Sequence, residues 1–342
     1  MFPSPFPQRE SATLLTHPAQ FWHSWPPNQA KSGPRQFIYQ PGSHCNLSSC
    51  SIPAQIVYFT ATAMPYPLEK LQYGLRRRLR ELATPFEAYF LQRAAPNYYG
   101  FQPLQKLRAI KSAWFMKDED NNLHKIIQPK HPENSEDLIL NLVRDKVIFH
   151  AISPDIISST IFDDFRFASK AVCFNECVLD PTFVYNYLNA VERFRELILF
   201  DSSFESENAA KMLCNSTALR GLKRFVAKDS TFPSTTWWIK AFVEAKCTSL
   251  DMFLVKRVSL SVFDIDKEVV LKFIKDQPAG FTLSIGLSDE MQWHDIIETS
   301  QNLFETEHFE CYDGTFYSGT YKKVHISYGT GNKNNRCYIL RD

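Results

Sequence analysis

Three runs of the chain decide its fold: residues 197–204, LILFDSSF; residues 225–232, FVAKDSTF; and residues 253–260, FLVKRVSL. Their starts lie 28 residues apart. Two further steps of 28 reach Phe281, which opens FTLSI, and Phe309, which opens FECY. An earlier copy, VCFNECVL at 172–179, begins 25 residues before the first. Apolar side chains alternate within the copies: Val172 and Phe174, Leu197 and Leu199, Phe225 and Ala227, Phe253 and Val255, Phe281 and Leu283. Alternate residues of a strand share a face, so a period of two marks short strands with one buried side.

Segments with helical spacing separate these strands. Their apolar positions are Phe183, Tyr187 and Val191; Ala209, Met212 and Leu213; Trp238, Ala241 and Phe242; Val270, Phe273 and Ile274; and Trp293, Ile296 and Ile297. Asp180-Pro181, Ser234 and Asp266 precede three of them. Such residues start helices because a side-chain oxygen satisfies a free N–H of the first turn. A single strand–helix unit cannot bury its apolar face, whereas stacked neighbours can. The expected fold class is α/β, with residues 169–342 winding into a curved solenoid of about five to six repeats. The alternative is a non-repeating α/β domain whose strands fall in register.

The repeat resembles the leucine-rich repeat, L-x-x-L-x-L-x-x-N/C-x-L. Val172, Phe174, Cys177 and Leu179 fit that pattern, and Leu197, Leu199, Ser202 and Phe204 fit it more loosely. The Asn/Cys position is filled by Cys177, Ser202, Ser230, Val258 and Gly286. Cys and Ser can hydrogen-bond turn backbone there; Val and Gly have no side chain that can. Residues between the buried ones face a concave surface. The expected substrate-binding residues are therefore Ile198, Phe200, Val226, Lys228, Leu254, Lys256, Thr282 and Ser284. Residues 309–342 differ. The alternation in 321–328, the turn residues GTGNKNN and the run 336–340 predict an antiparallel hairpin that caps the last strand.

Upstream, residues 104–168 read as a linker region, with a strand-like run at 147–149 and a polar surface loop near 117–137. The acidic cluster Asp118, Glu119 and Asp120 lacks the Gly and distal Glu of a calcium loop and reads as a solvated turn. Residues 64–103 are helical: Leu68, Leu71, Leu75, Leu79 and Leu82 recur at spacings of three and four, and Thr84-Pro85 starts a second helix carrying Phe86, Tyr89 and Phe90. The succession Pro67-Leu68, Leu71, Leu75, Leu79, Leu82, break, Phe86 to Ala94 resembles an F-box, nearest the divergent F-boxes of the expanded nematode families. It departs from that pattern at Leu71-Gln72, where Leu-Pro is usual, and at residues 95–97.

The resemblance implies that Pro67, Leu68, Leu71, Leu75, Leu79 and Leu82 dock a Skp-family adaptor within a cullin complex. The repeats would then hold an unknown protein substrate for a ubiquitin ligase. The alternative is a repeat scaffold without a ligase role, its helical hairpin only capping the repeats.

Composition narrows the functional classes. Of 342 residues, 38 are basic and 37 acidic, so the net charge of +1 gives no basic footprint for nucleic acid. Hydrophobic residues are 44%, with 28 Phe, ample for a packed core. No apolar run reaches the ~18 residues of a membrane span, and no secretory leader is evident. Eleven of the 20 Pro fall in the first 67 residues, so residues 1–63 read as a disordered leader. The eight Cys form no Cys-x-x-Cys pair and read as reduced thiols of a cytoplasmic or nuclear protein. Histidines with metal-ligand spacing, a nucleophile elbow and a phosphate loop are all missing, so no metal, cofactor or enzymatic activity is expected.

Overall fold

Phenylalanines of successive strands stack on one another and set the core. The structure, a computed structural model, describes residues 68–118, 120–128, 139–154, 159–230, 232–288, 291–305, 307–313, 320–328 and 334–341. All belong to one compact unit, Thr62–Asp342. The expectations for the proline-rich leader, for Pro67 and for the turn residues 329–333 lie outside the described residues.

Two helices come first, α1 (Tyr73–Leu82) and α2 (Pro85–Ala94), followed by the strands β1 (Lys106–Lys117), β2 (Leu123–Gln128) and β3 (Ile139–His150). A short helix α3 (Ser159–Phe162) leads to β4 (Phe165–Phe167) and β5 (Ala171–Asn175). Strand and helix then alternate: β6 (Val178–Leu179), α4 (Pro181–Ala190), β7 (Glu196–Phe200), β8 (Ser203–Phe204), α5 (Glu207–Cys214), β9 (Arg224–Lys228), α6 (Thr235–Glu244), β10 (Met252–Val258), α7 (Lys267–Lys275), β11 (Thr282–Leu287) and α8 (Trp293–Phe304). Three strands end the chain, β12 (Phe309–Asp313), β13 (Lys323–Tyr328) and β14 (Asn334–Leu340).

Twelve strands form one mixed sheet in the order β12-β14-β13-β11-β10-β9-β7-β5-β3-β1-β2, with β4 beside the first half of β3. From β1 through β13 the pairs are parallel. Both ends are antiparallel: β2 on β1 at one edge, and β14 on β13 and β12 at the other. The hairpin read at the C-terminus is thus β13–β14, and β12 closes the edge beyond it. Helix starts follow the sequence. Asp180, Ser206, Ser234 and Asp266 accept hydrogen bonds from first-turn amides of α4, α5, α6 and α7. Thr84 and Glu87 close a reciprocal capping box on α2.

The core lies on one face of the sheet, under the helices. Phe115, Phe149 and Phe174 stack with ring centroids 5.2 Å apart in each pair, and Phe225 and Phe253 continue the layer at 4.9 Å. Each of these rings is almost fully buried. Burying one stabilises the fold by about 1.5–3 kcal/mol.

The curved leucine-rich-repeat-like solenoid of about five to six repeats is not what forms. The elements build a single mixed α/β sheet whose strand spacing is uneven. In register, Val147, Val172, Leu197, Phe225, Phe253, Leu283 and Val324 succeed one another, at steps of 25, 25, 28, 28, 30 and 41. Only the middle steps keep the 28-residue repeat. A register shift between Lys256 and Val258 pairs Val258 with Leu287, so Gly286 falls beside Lys256 and not at the Asn/Cys position. The copy expected at Phe309 is β12, an antiparallel strand two places away from β11. Residues 104–168, read as linker, supply β1 to β4. Two long strands of that region, β1 and β3, extend the sheet beyond the repeat.

Candidate docking surfaces

Helix α1 turns its arginines inward and its leucines outward. Arg76 lies over the Tyr98 ring at 5.5 Å, and Arg80 donates to Gln105 Oε1 at 3.1 Å. Gly100, with φ of 109°, lets the chain pass close by: a Cβ there would meet Arg76 Cβ at 2.9 Å. No α1 side chain is buried. Leu75 and Leu82 are 56% and 67% exposed, and Tyr73 and Leu79 are exposed as well. Leu68 and Leu71 are half-buried. Of the expected adaptor-binding residues, Leu75, Leu79 and Leu82 form the outward stripe, at spacings of four and three. Arg77 and Glu81, paired at 3.0 Å, border it.

Helix α2 anchors this pair to the sheet. Arg166 lies in β4 between Phe165 and Phe167, which both join the core, so its side chain leaves by the opposite face. There its guanidinium stacks on Phe90 at 4.8 Å and Tyr89 at 5.3 Å, and bonds Glu192 at 2.8 Å. The Phe86 amide donates to Asp163 O at 3.0 Å. Burial and the neighbouring Asp164 and Glu87 raise the pKa of Asp163 above the usual carboxylate value.

The second surface is the sheet face opposite the helices. The helix-side cluster includes Phe225 and Ala227 but not Val226, and Val172 and Phe174 but not Cys173. One apolar row therefore crosses the other face: Trp114, Ile148, Cys173, Ile198, Val226 and Leu254, continued by Ser284 and His325. Cys173 and Val226 are buried by their neighbours; the rest are half-buried. A second row holds Phe200, Lys228 and Lys256. The expected substrate-binding residues thus share one face, with one adjustment: Thr282 lies beside Met252, and Ser284 beside Leu254.

Sequence reasoning missed Trp114, Lys146, Ile148, Cys173 and Arg224 on this face. One signal was available. Residues 147–149 precede the run at 172–174 by 25 residues, the same step that separates 172 from 197.

At the strand ends, polar side chains fix the turns. Ser202 Oγ donates to Phe200 O at 2.7 Å and accepts from the Cys177 amide at 3.0 Å. Ser230 Oγ donates to Ser202 O at 2.6 Å, and Cys177 Sγ contacts Phe149 O and Asn175 O. Desolvation pushes the Cys177 thiol up to about 12 and the Cys173 thiol to about 11. Both stay protonated at neutral pH and are poor nucleophiles. Among the described residues no three His, Cys, Asp or Glu side chains gather to hold a metal ion, and no helix is long and apolar enough to cross a membrane. Asp118, in the acidic turn, is held to about 2 by hydrogen bonds from His124 and the Asn122 amide.

Comparison with family models, with characterised proteins and with solved structures returns no match. The functional reading therefore rests on the two surfaces.

Proposed function

We propose that the protein is a substrate-recruiting subunit of a cullin–RING ubiquitin ligase, docking a Skp-family adaptor through α1 and holding a protein substrate on the open sheet face. The supporting observation is the inverted α1. A helix that merely packed on its own domain would bury its leucines and expose its arginines. Here Arg76 and Arg80 face the domain while Leu75, Leu79 and Leu82 face solvent. An apolar stripe on a helix is a recognised mode of docking into a partner groove. The mechanism is placement: α2 ties the docking helix to β4 through Arg166, so adaptor and substrate are held by one framework.

The test is co-purification of the full-length chain with a Skp-family adaptor, beside a standard F-box protein as positive control. Binding is expected. Changing Leu75, Leu79 and Leu82 together to Ser is expected to abolish it while altering stability by no more than about 0.5 kcal/mol per site, as for exposed positions elsewhere. A wild-type chain that fails to bind while the control binds would leave a scaffold without a ligase role.

A further inference from the structure

The open sheet face has a charge bias that the whole chain lacks. From β3 to β13 its strand positions carry Lys146, Arg224, Lys228, Lys256 and Lys323 against a single acid, Glu196. The whole chain, by contrast, has a net charge of only +1. Glu196 holds Arg224 at 2.8 Å, and Asp229, on the rim, holds Lys228 at 3.5 Å. Lys146 and Lys256 have no ion pair among the described residues, and they flank the apolar row at diagonally opposite corners. Four strand spacings and four residues of rise separate them, a span of roughly 23 Å, which an extended peptide covers in about seven residues.

We infer that this face binds an extended, acidic and partly apolar peptide segment of a partner protein. Leu, Ile or Phe side chains of that segment would lie against Ile198, Val226 and Leu254, and carboxylates about seven residues apart would reach Lys146 and Lys256. The inference rests on the reading of this face as the substrate-recruiting surface and adds the chemistry of what it takes. Charge complementarity favours that occupant. A second copy of the chain would bring its own exposed apolar stripe, beside which Arg77 and Arg78 project, and would add positive charge to positive. Single-stranded nucleic acid needs aromatic platforms for its bases, whereas the centre of this row is aliphatic.

The experiment probes an array of random 12-residue peptides with the full-length protein, then titrates the retained peptides by fluorescence anisotropy. Retained peptides are expected to be rich in Asp and Glu together with Leu, Ile and Phe. The double variant Lys146→Glu/Lys256→Glu changes only solvent-facing groups. It should weaken such peptides by about tenfold or more, as like charges brought together do, and shift selection toward Lys and Arg. Leu254→Asp should abolish retention. Neither variant should alter capture of the Skp-family adaptor, so loss of adaptor binding alone would sink the ligase reading and leave the peptide site standing. The inference is overturned if no peptide is retained, if retained peptides show no acidic excess, if the charge reversal leaves the selected set unchanged, or if a 12-nucleotide single-stranded RNA binds more tightly than any peptide.

Discussion

At the residue scale, the turn after each central strand depends on two adjacent positions with opposite demands. The first takes a left-handed backbone: Glu176, Asp201, Asp229 and Arg257 have φ of 56°, 46°, 53° and 55°. The second, Cys177, Ser202 or Ser230, then points inward and bonds a turn carbonyl. A side chain with a Cβ pays about 1–2 kcal/mol in the left-handed region, and glycine pays almost nothing. Glu176→Gly keeps the amide that donates to Phe200 O and should therefore stabilise the protein by about 0.5–1 kcal/mol in urea unfolding, after the extra entropy of unfolded glycine is subtracted. Ser202→Ala should do the reverse. Phe200 O keeps its bond from Glu176, but the buried Cys177 amide loses its only recorded acceptor, at a cost of about 1–3 kcal/mol. A destabilised Glu176→Gly would mean that its side chain, and not its backbone, fixes the turn. Cys173 gives a third expectation. With its thiol raised to about 11, chiefly by desolvation, the thiolate share at pH 8 is about one in a thousand. Mass-mapped iodoacetamide labelling at pH 8 should leave Cys173 unmodified in the native protein and label it after denaturation.

At the scale of elements, the sequence was most legible where one rule governed each segment. The helices from α4 to α8 follow their apolar spacing. Asp180, Ser234 and Asp266 cap where their position before an apolar run says they should, and Thr84-Pro85 starts α2. Strands β1 and β3 were far less legible, for a physical reason. One face of each carries charge, and an extra residue on β3 opposite Lys111 shifts the phase of alternation: Ile110 pairs with Val143, but Ser112 pairs with Lys146. The buried positions 140, 143, 147 and 149 therefore keep no single period, and Arg144-Asp145-Lys146 in their midst reads as loop. The docking stripe was legible as a set of leucines but not in its direction. Amphipathic spacing alone says that leucines go inward. Only the close approach at Gly100 and the Gln105 contact reveal that Arg76 and Arg80 take the inner side. The cap on α2 makes its own prediction: Thr84→Ala breaks the reciprocal pair with Glu87 and should cost about 1 kcal/mol by thermal or urea unfolding, whereas Thr84→Ser should cost little.

At the scale of the whole molecule, the repeat suggested by the middle strands stops short of both ends because a sheet must finish its edges. A parallel strand at an edge would expose a full row of unpaired backbone groups. Instead β2 folds back on β1, and β14 folds back between β13 and β12. Stability should then be graded across the sheet, highest where strands have partners on both sides and rings above, lowest in β2, β12 and the unburied α1. Hydrogen exchange followed by mass spectrometry would read this gradient: amides of β7, β9 and β10 should exchange last and those of α1 first. The joint between docking helix and sheet gives a sharper test, because a placement mechanism requires that joint to be firm. Arg166 is 6% exposed and engages Tyr89, Phe90 and Glu192 together, so Arg166→Ala removes the contacts between α2 and β4 without opening the phenylalanine layer on the other face. Losing a buried cation's stacking and its ion pair costs about 2–3 kcal/mol, and Glu192, itself partly exposed, can return to water. Exchange in Pro85–Ala94 should therefore accelerate while β9 and β10 keep wild-type protection. Equal acceleration in every strand would instead make Arg166 a residue of the common core and would remove the argument that α2 is a separately anchored arm.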